Sequence, residues 1–183
     1  MIPQVGLSEQ QIIRYLLDTC ATVDEAKQAL LLAKQYYFFV PCHFPVADRS
    51  RRSFVWEHSP GHNREHIVEP SASDRMVCTN HLLHRWPEIS ELPDDPLLDG
   101  TAALTYQRYR TLHGAVSKGA LVDRDDIREQ FAEVGFTAPV PMARTFWHAI
   151  YDLDDPALEV CFYLRDEEGV SRYTDPLRFA LTG

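Results

Sequence analysis

The sequence predicts an α+β fold in which paired helices accompany antiparallel hairpins. Three observations carry this. Two capping-box patterns in close succession, Ser8-x-x-Gln11 and Thr22-x-x-Glu25, each open an apolar run at helical spacing. Two stretches rich in aromatic and β-branched residues are each folded about a short polar turn. The helices and strands come in groups, which suits a layered α+β arrangement and not alternating βαβ units.

The first capping box is followed by Ile12, Ile13, Leu16, Leu17 and Cys20, and the second by Val23, Ala26, Leu30 and Ala33. With so short a connection between them, these read as an αα-hairpin. Tyr36 to Val46 then reads as a strand, Asp48-Arg49-Ser50-Arg51 as a turn, and Ser53 to Glu57 as the returning strand, closed by Ser59-Pro60-Gly61. Ile67-Val68 suggests a short strand, and Met76-Val77-Cys78-Thr79 a further one leading into Asn80. Pro87 to Gly100, with three prolines and many acids, reads as a loop. Ala102 to Ser117 reads as a helix. Asp123 caps another, with Ile127, Phe131 and Val134 inward and Gly135 as its stop. Thr145 to Leu153 and Leu158 to Leu164 form a second hairpin about Asp154-Asp155-Pro156.

An apolar share of 45 % predicts a buried core, and 183 residues suit a single domain spanning 1–183. The net charge of −9, with no basic stripe, argues against a nucleic-acid partner. The one basic run, Arg49-Ser50-Arg51-Arg52, reads as a charged hairpin tip. No stretch is long enough to span a membrane, and the first residues lack the pattern of a secretion signal. Cys20, Cys42, Cys78 and Cys161 are scattered without a CxxC pair, and read as reduced, buried, structural thiols of a cytoplasmic protein.

His58, His62 and His66 have i, i+4 spacing, but Pro60 and Gly61 break any helix there, so no metal site is expected. His81 and His84 stand at i, i+3 without an acid or cysteine at ligand spacing. Trp56 and Trp147 alternate with their neighbours along strands, as residues of a core or sheet face do.

Five stretches carry a resemblance. They are IIRYLLDTCATVDEAKQAL, CHFPVADRSRRSFVWEHSPG, MVCTNHLLHRWP, TYQRYRTLHGAV and RTFWHAIYDLDDPALEVCFY. In this order they resemble consecutive blocks of the choloylglycine hydrolase and acyl-CoA:6-aminopenicillanic-acid acyltransferase family of linear amide C–N hydrolases. The likeness runs from Gln10 to Tyr163. It implies the later part of an N-terminal-nucleophile (Ntn) hydrolase fold, a four-layer αββα sandwich. This part contributes an αα-hairpin, a β-hairpin, a strand, two helices and a β-hairpin.

The resemblance also implies a mechanism that needs no cofactor. A cysteine freed as the first residue of the mature chain attacks an amide carbonyl, with its own α-amine as base. The acyl-enzyme then passes its acyl group to water or to an amine. Asn80, in Thr79-Asn80-His81, matches the family's oxyanion-hole asparagine, whose NH2 is a neutral donor. Outside the resemblance, Asn80 is an ordinary turn residue. Arg108 matches the active-site arginine, suited to holding a carboxylate by its planar fork. Arg110 is the competing choice two residues on.

The family's nucleophile, companion acid and second oxyanion donor have no match here, since no cysteine precedes the first helices. Cys42 follows Pro41, but its block matches the later hairpin and not the nucleophile strand. The expectation is an incomplete Ntn domain, inactive alone. It would act on a small-molecule amide or acyl substrate once joined to its missing half, supplied as a separate chain or otherwise. Uncovered edges and an apolar helix face would drive it to pair with that half or to form a homodimer. The alternative is a non-catalytic binding or scaffold protein derived from the same fold.

Overall fold

The structure, a computed structural model, describes residues 5–36, 43–59, 64–70, 75–95, 104–119, 123–135 and 144–180. They divide into two compact units, Met1–Glu88 and Ile89–Gly183.

The first unit opens with a strand β1 (Val5–Ser8), two helices α1 (Glu9–Thr19) and α2 (Val23–Leu32), and a strand β2 (Ala33–Tyr36). Both capping boxes form as the sequence predicts. Ser8 accepts from the Gln11 N–H and Thr22 from the Glu25 N–H, while each N3 side chain reaches back to its cap. The strand β1 was not expected. It pairs with β2 in parallel, from Val5↔Ala33 to Ser8↔Tyr36. Among the described residues β1 and β2 thus form a parallel crossover, where only antiparallel pairs were anticipated. Parallel neighbours need a long connection, and the helical hairpin supplies it.

Next come β3 (His43–Ala47), β4 (Ser53–Ser59) and β5 (Arg64–Val68), in an antiparallel sheet of order β3-β4-β5. The turn and the returning strand fall where the sequence places them, with Arg51 in the left-handed region at φ 67°, but the first strand begins at His43 and Tyr36 ends β2 instead. Residues 37–42, which include Cys42, lie outside the described residues. The Asp48 carboxylate accepts from Ser50 in the turn and from the Val23 N–H at 2.8 Å, so the hairpin tip docks on the N-terminus of α2. Arg52 pairs with Asp24 beside it.

Ile12, Leu16, Val23, Ala26 and Leu30 pack with Phe44, Phe54 and Trp56 in one core. Trp56 is thus a core residue, its ring 5.3 Å from that of Phe44. Ala33 is buried in that core and Cys20 packs against it, whereas two residues of the expected stripe are turned to solvent: Leu17 is 76 % exposed, and Ile13 is exposed as well.

Met76 to Thr79 is not a strand. Its side chains make contacts of their own, Cys78 with His43 and Thr79 with His81. A short 3-10 turn, Leu83–Arg85, follows.

In the second unit, the segment expected to be a loop contains a 3-10 turn, Ile89–Glu91. The helix α3 (Thr105–Ser117) has Leu104 at its N-cap position, in the left-handed region, without a side-chain cap. Asp95 does that work, accepting from the N–H groups of Tyr106 and Gln107 at 2.9 and 2.7 Å. The helix α4 (Arg124–Val134) is capped by Asp123 and ends at Gly135. Any Cβ at Gly135 would lie 2.9 Å from the Phe131 carbonyl oxygen, so a glycine is needed there.

Four strands complete the unit: β6 (Trp147–Asp152), β7 (Ala157–Glu167), β8 (Val170–Tyr173) and β9 (Leu177–Ala180). The first two form the expected hairpin, and β8 and β9 both pair with β7. One sheet face carries His148, Ile150 and Glu159 and lies under α4, where Arg128 pairs with Glu159 and Phe131 meets His148. The opposite face carries Trp147, Tyr151, Phe162, Leu177 and Phe179, all exposed. Trp147, at 60 % exposure, is therefore a sheet-face residue and not part of a core. No helix among the described residues is long and apolar enough to cross a membrane.

Candidate active site

The first unit builds its chemistry on one row of the sheet β3-β4-β5. His43, Glu57 and His66 are direct cross-strand partners, so their side chains share one face. The other face carries Phe44, Trp56 and the core.

Glu57 has no solvent exposure. A buried carboxylate is tolerated only when it is fully bonded. Oε1 accepts from the Leu83 N–H at 2.6 Å and from His43 Nδ1 at 3.1 Å. Oε2 accepts from the His84 N–H at 3.0 Å and from its ring Nδ1 at 2.8 Å. Burial pushes the Glu57 pKa up. The hydrogen bonds from His43, His84 and Leu83 together outweigh that, and the value falls to about 2. Glu57 is therefore ionised at neutral pH. The His66 ring stacks on that of His84, centroids 3.6 Å apart and 4° from parallel. Burial, and then the neighbouring His84, hold the His66 pKa below the usual histidine range.

Cys78 Sγ lies 3.5 Å from His43 Nδ1. The trio Cys78, His43 and Glu57 does not make a nucleophile triad. A triad uses one imidazole nitrogen for the acid and the other for the nucleophile, whereas here both neighbours meet Nδ1. Burial, and then the Glu57 charge, push the Cys78 thiol up to about 12, so it stays protonated.

Asn80 sits two residues past Cys78, exposed at a bend before the buried His81. In the second unit, Arg108 and Arg110 both lie on α3. Arg108 Nε donates to the Val134 carbonyl at the end of α4, at 2.9 Å. Burial lowers its pKa, opposed by nearby Asp95. Arg110 Nη2 donates to the carbonyls of Leu92 and Pro93 at 2.6 and 3.0 Å. The structure thus brings the two arginines onto one helix and places Asn80 in the other unit.

Glu57 and His43 were missed in the sequence, and His84 was weighed only beside His81 as a metal ligand. The signal for the first two was present: a turn at Asp48–Arg51 puts His43 opposite Glu57. Among the described residues no group of histidines, cysteines and acids is arranged to hold a metal ion. His62, from the spaced histidines, lies outside those residues.

A model of the family described as acyl-coenzyme A:6-aminopenicillanic acid acyl-transferase matches residues 3–111. The chain belongs to that family. The matched stretch includes Glu57, Asn80, Arg108 and Arg110 of this acyl-transferase family member. The solved structure of penicillin V acylase from Agrobacterium tumefaciens is similar, with a TM-score of 0.62 at 17 % identity, over 87 % of this chain and 54 % of that one. The likeness shows the fold, that of an Ntn hydrolase. The chain spans about half the length of that acylase. No curated protein matches it.

Proposed function

We propose that the complete protein is a cysteine Ntn hydrolase or acyltransferase that opens a linear amide C–N bond through an acyl-enzyme. The observation that carries this reading is the family match over residues 3–111, which contains both Asn80 and the two arginines. The nucleophile is a cysteine at a mature N-terminus, supplied by a segment or partner chain outside this sequence. The thiols described here support that division of labour. Cys78 is held protonated and Cys161 is buried with its pKa raised by burial, so neither is an activated nucleophile.

In this mechanism the thiolate attacks the amide carbonyl and negative charge gathers on its oxygen. The Asn80 NH2 donates to that oxygen, a neutral donor that develops no repulsion as the intermediate collapses. Arg108 presents a planar cation to a carboxylate of the substrate or of the site. We place the protein in a reducing compartment, the cytoplasm, in keeping with the free thiols of Cys20, Cys78 and Cys161.

The test is Asn80→Ala in the complete protein, assayed by amine release from an acyl amide such as a penicillin. Turnover should fall about a hundredfold or more, the cost of one oxyanion donor. Turnover at the wild-type rate would overturn the assignment of Asn80. A complete protein that binds the amide saturably and never cleaves it would favour a binding protein on the same fold.

A further inference from the structure

The segment that carries Asn80 is tied down at both ends on one cross-strand pair. His43 and Glu57 face each other across β3 and β4. On one side of Asn80, the Cys78 sulfur meets His43 Nδ1 at 3.5 Å. On the other side, Glu57 takes the backbone N–H groups of Leu83 and His84. The His84 ring is fixed twice more, by Glu57 Oε2 and by the stack with His66. Within the span, Thr79 Oγ1 and His81 Nδ1 are 3.1 Å apart.

Packing alone does not explain a carboxylate at position 57. Val55, two residues earlier on the same face, is equally buried and apolar. What Glu57 adds is two acceptor oxygens and no donor, each oxygen taking a different backbone N–H. Among side chains, only a carboxylate offers that. A glutamine would turn one NH2 donor against one of these N–H groups.

We propose that Glu57 is a positioning residue for Asn80. By holding Leu83 and His84, with His43 holding Cys78, it fixes the short span in between, so that the Asn80 amide is presented to the reacting carbonyl in one orientation. The inference rests on the reading of Asn80 as the oxyanion donor. Glu57 itself touches neither substrate nor reacting atoms.

The test has a structural arm and a kinetic arm. In the wild-type chain, amide hydrogen exchange resolved by residue should show Leu83 and His84 protected like the strand amides of β4. Exchange at the rate of an open loop would overturn the proposal without any substitution. In Glu57→Gln, at least one of these two amides should lose about tenfold or more in protection, the scale of one net hydrogen bond. The Asn80 side-chain NH2 resonances should shift, while the α1 and α2 amides stay protected. Unmoved Asn80 resonances would overturn the proposal.

In the complete enzyme, Glu57→Gln should lower kcat about a hundredfold with KM unchanged, as expected when a catalytic group is displaced by about an ångström. The effect should vanish when Asn80 is already alanine. An equal loss from Glu57→Gln in both backgrounds would overturn the positioning role. If Asn80→Ala alone leaves kcat unchanged, the reading of Asn80 fails and the kinetic part of this inference falls with it. The exchange results then decide only whether Glu57 holds the segment.

Discussion

Glu57 holds His84 twice, through the ring Nδ1 at 2.8 Å and through the backbone N–H at 3.0 Å, across 27 residues of sequence. These bonds exist in full only while the carboxylate is ionised. Its folded pKa of about 2 lies below the ordinary 4.5. The stabilisation is therefore complete above pH about 4.5 and is lost as the pH falls toward about 2. The gap corresponds to about 3 kcal/mol. Denaturant unfolding measured from pH 6 down to pH 3 should show wild-type stability dropping faster than that of Glu57→Gln. Parallel curves would show that Glu57 is not held as an ion in the folded protein.

Cys78 should be inert in the folded chain. With its thiol pushed up to about 12 by burial and by Glu57, almost none is thiolate at pH 8. Iodoacetamide labelling followed by peptide mass spectrometry should leave Cys78 unmodified under native conditions and label it fully in denaturant. Native labelling of Cys78 at the rate of a free cysteine would contradict this environment.

Arg108 and Arg110 should separate by their effects. Arg110 bridges two carbonyls, of Leu92 and Pro93, so Arg110→Ala should cost stability, about 2 kcal/mol for lost charged hydrogen bonds. Arg108→Lys keeps the charge and loses the planar fork, and in the complete enzyme it should lower kcat/KM at least about tenfold. Measuring both melting and turnover for each variant assigns the roles. A turnover loss confined to Arg110→Lys would move the active-site assignment to Arg110.

The apolar face of β6, β7 and β9 should make this chain self-associate. Trp147, Tyr151, Phe162, Leu177 and Phe179 are exposed together on it, and contiguous patches of this kind are seldom left in water. Sedimentation velocity should show a concentration-dependent dimer that weakens in the double variant Trp147→Thr, Phe162→Thr. A monomer at every concentration would argue that this face needs no partner.

What the sequence determined by itself is what depends on neighbours close in the chain. The capping boxes at Ser8 and Thr22, the Asp123 cap and both hairpins are set by residues within a few positions of one another, so the pattern of residue types specifies them. The family resemblance was legible for a similar reason: it rests on short runs of neighbouring residues, and the family model matches residues 3–111. The tertiary structure decided the rest. The short strand β1 exists because β2, 28 positions on in the register Val5↔Ala33, gives its hydrogen bonds somewhere to go. Met76 to Thr79, with a more strand-like composition, forms none, since it pairs with none of the described strands. The histidines at 58, 62 and 66 are evenly spaced along the chain, but Pro60 and Gly61 between them rule out a shared helix face. The histidines that meet are His43, His66 and His84, gathered around Glu57 across strands. Hydrogen bonds and ring contacts act over a few ångströms of space, and only the folded register determines which distant residues come that close.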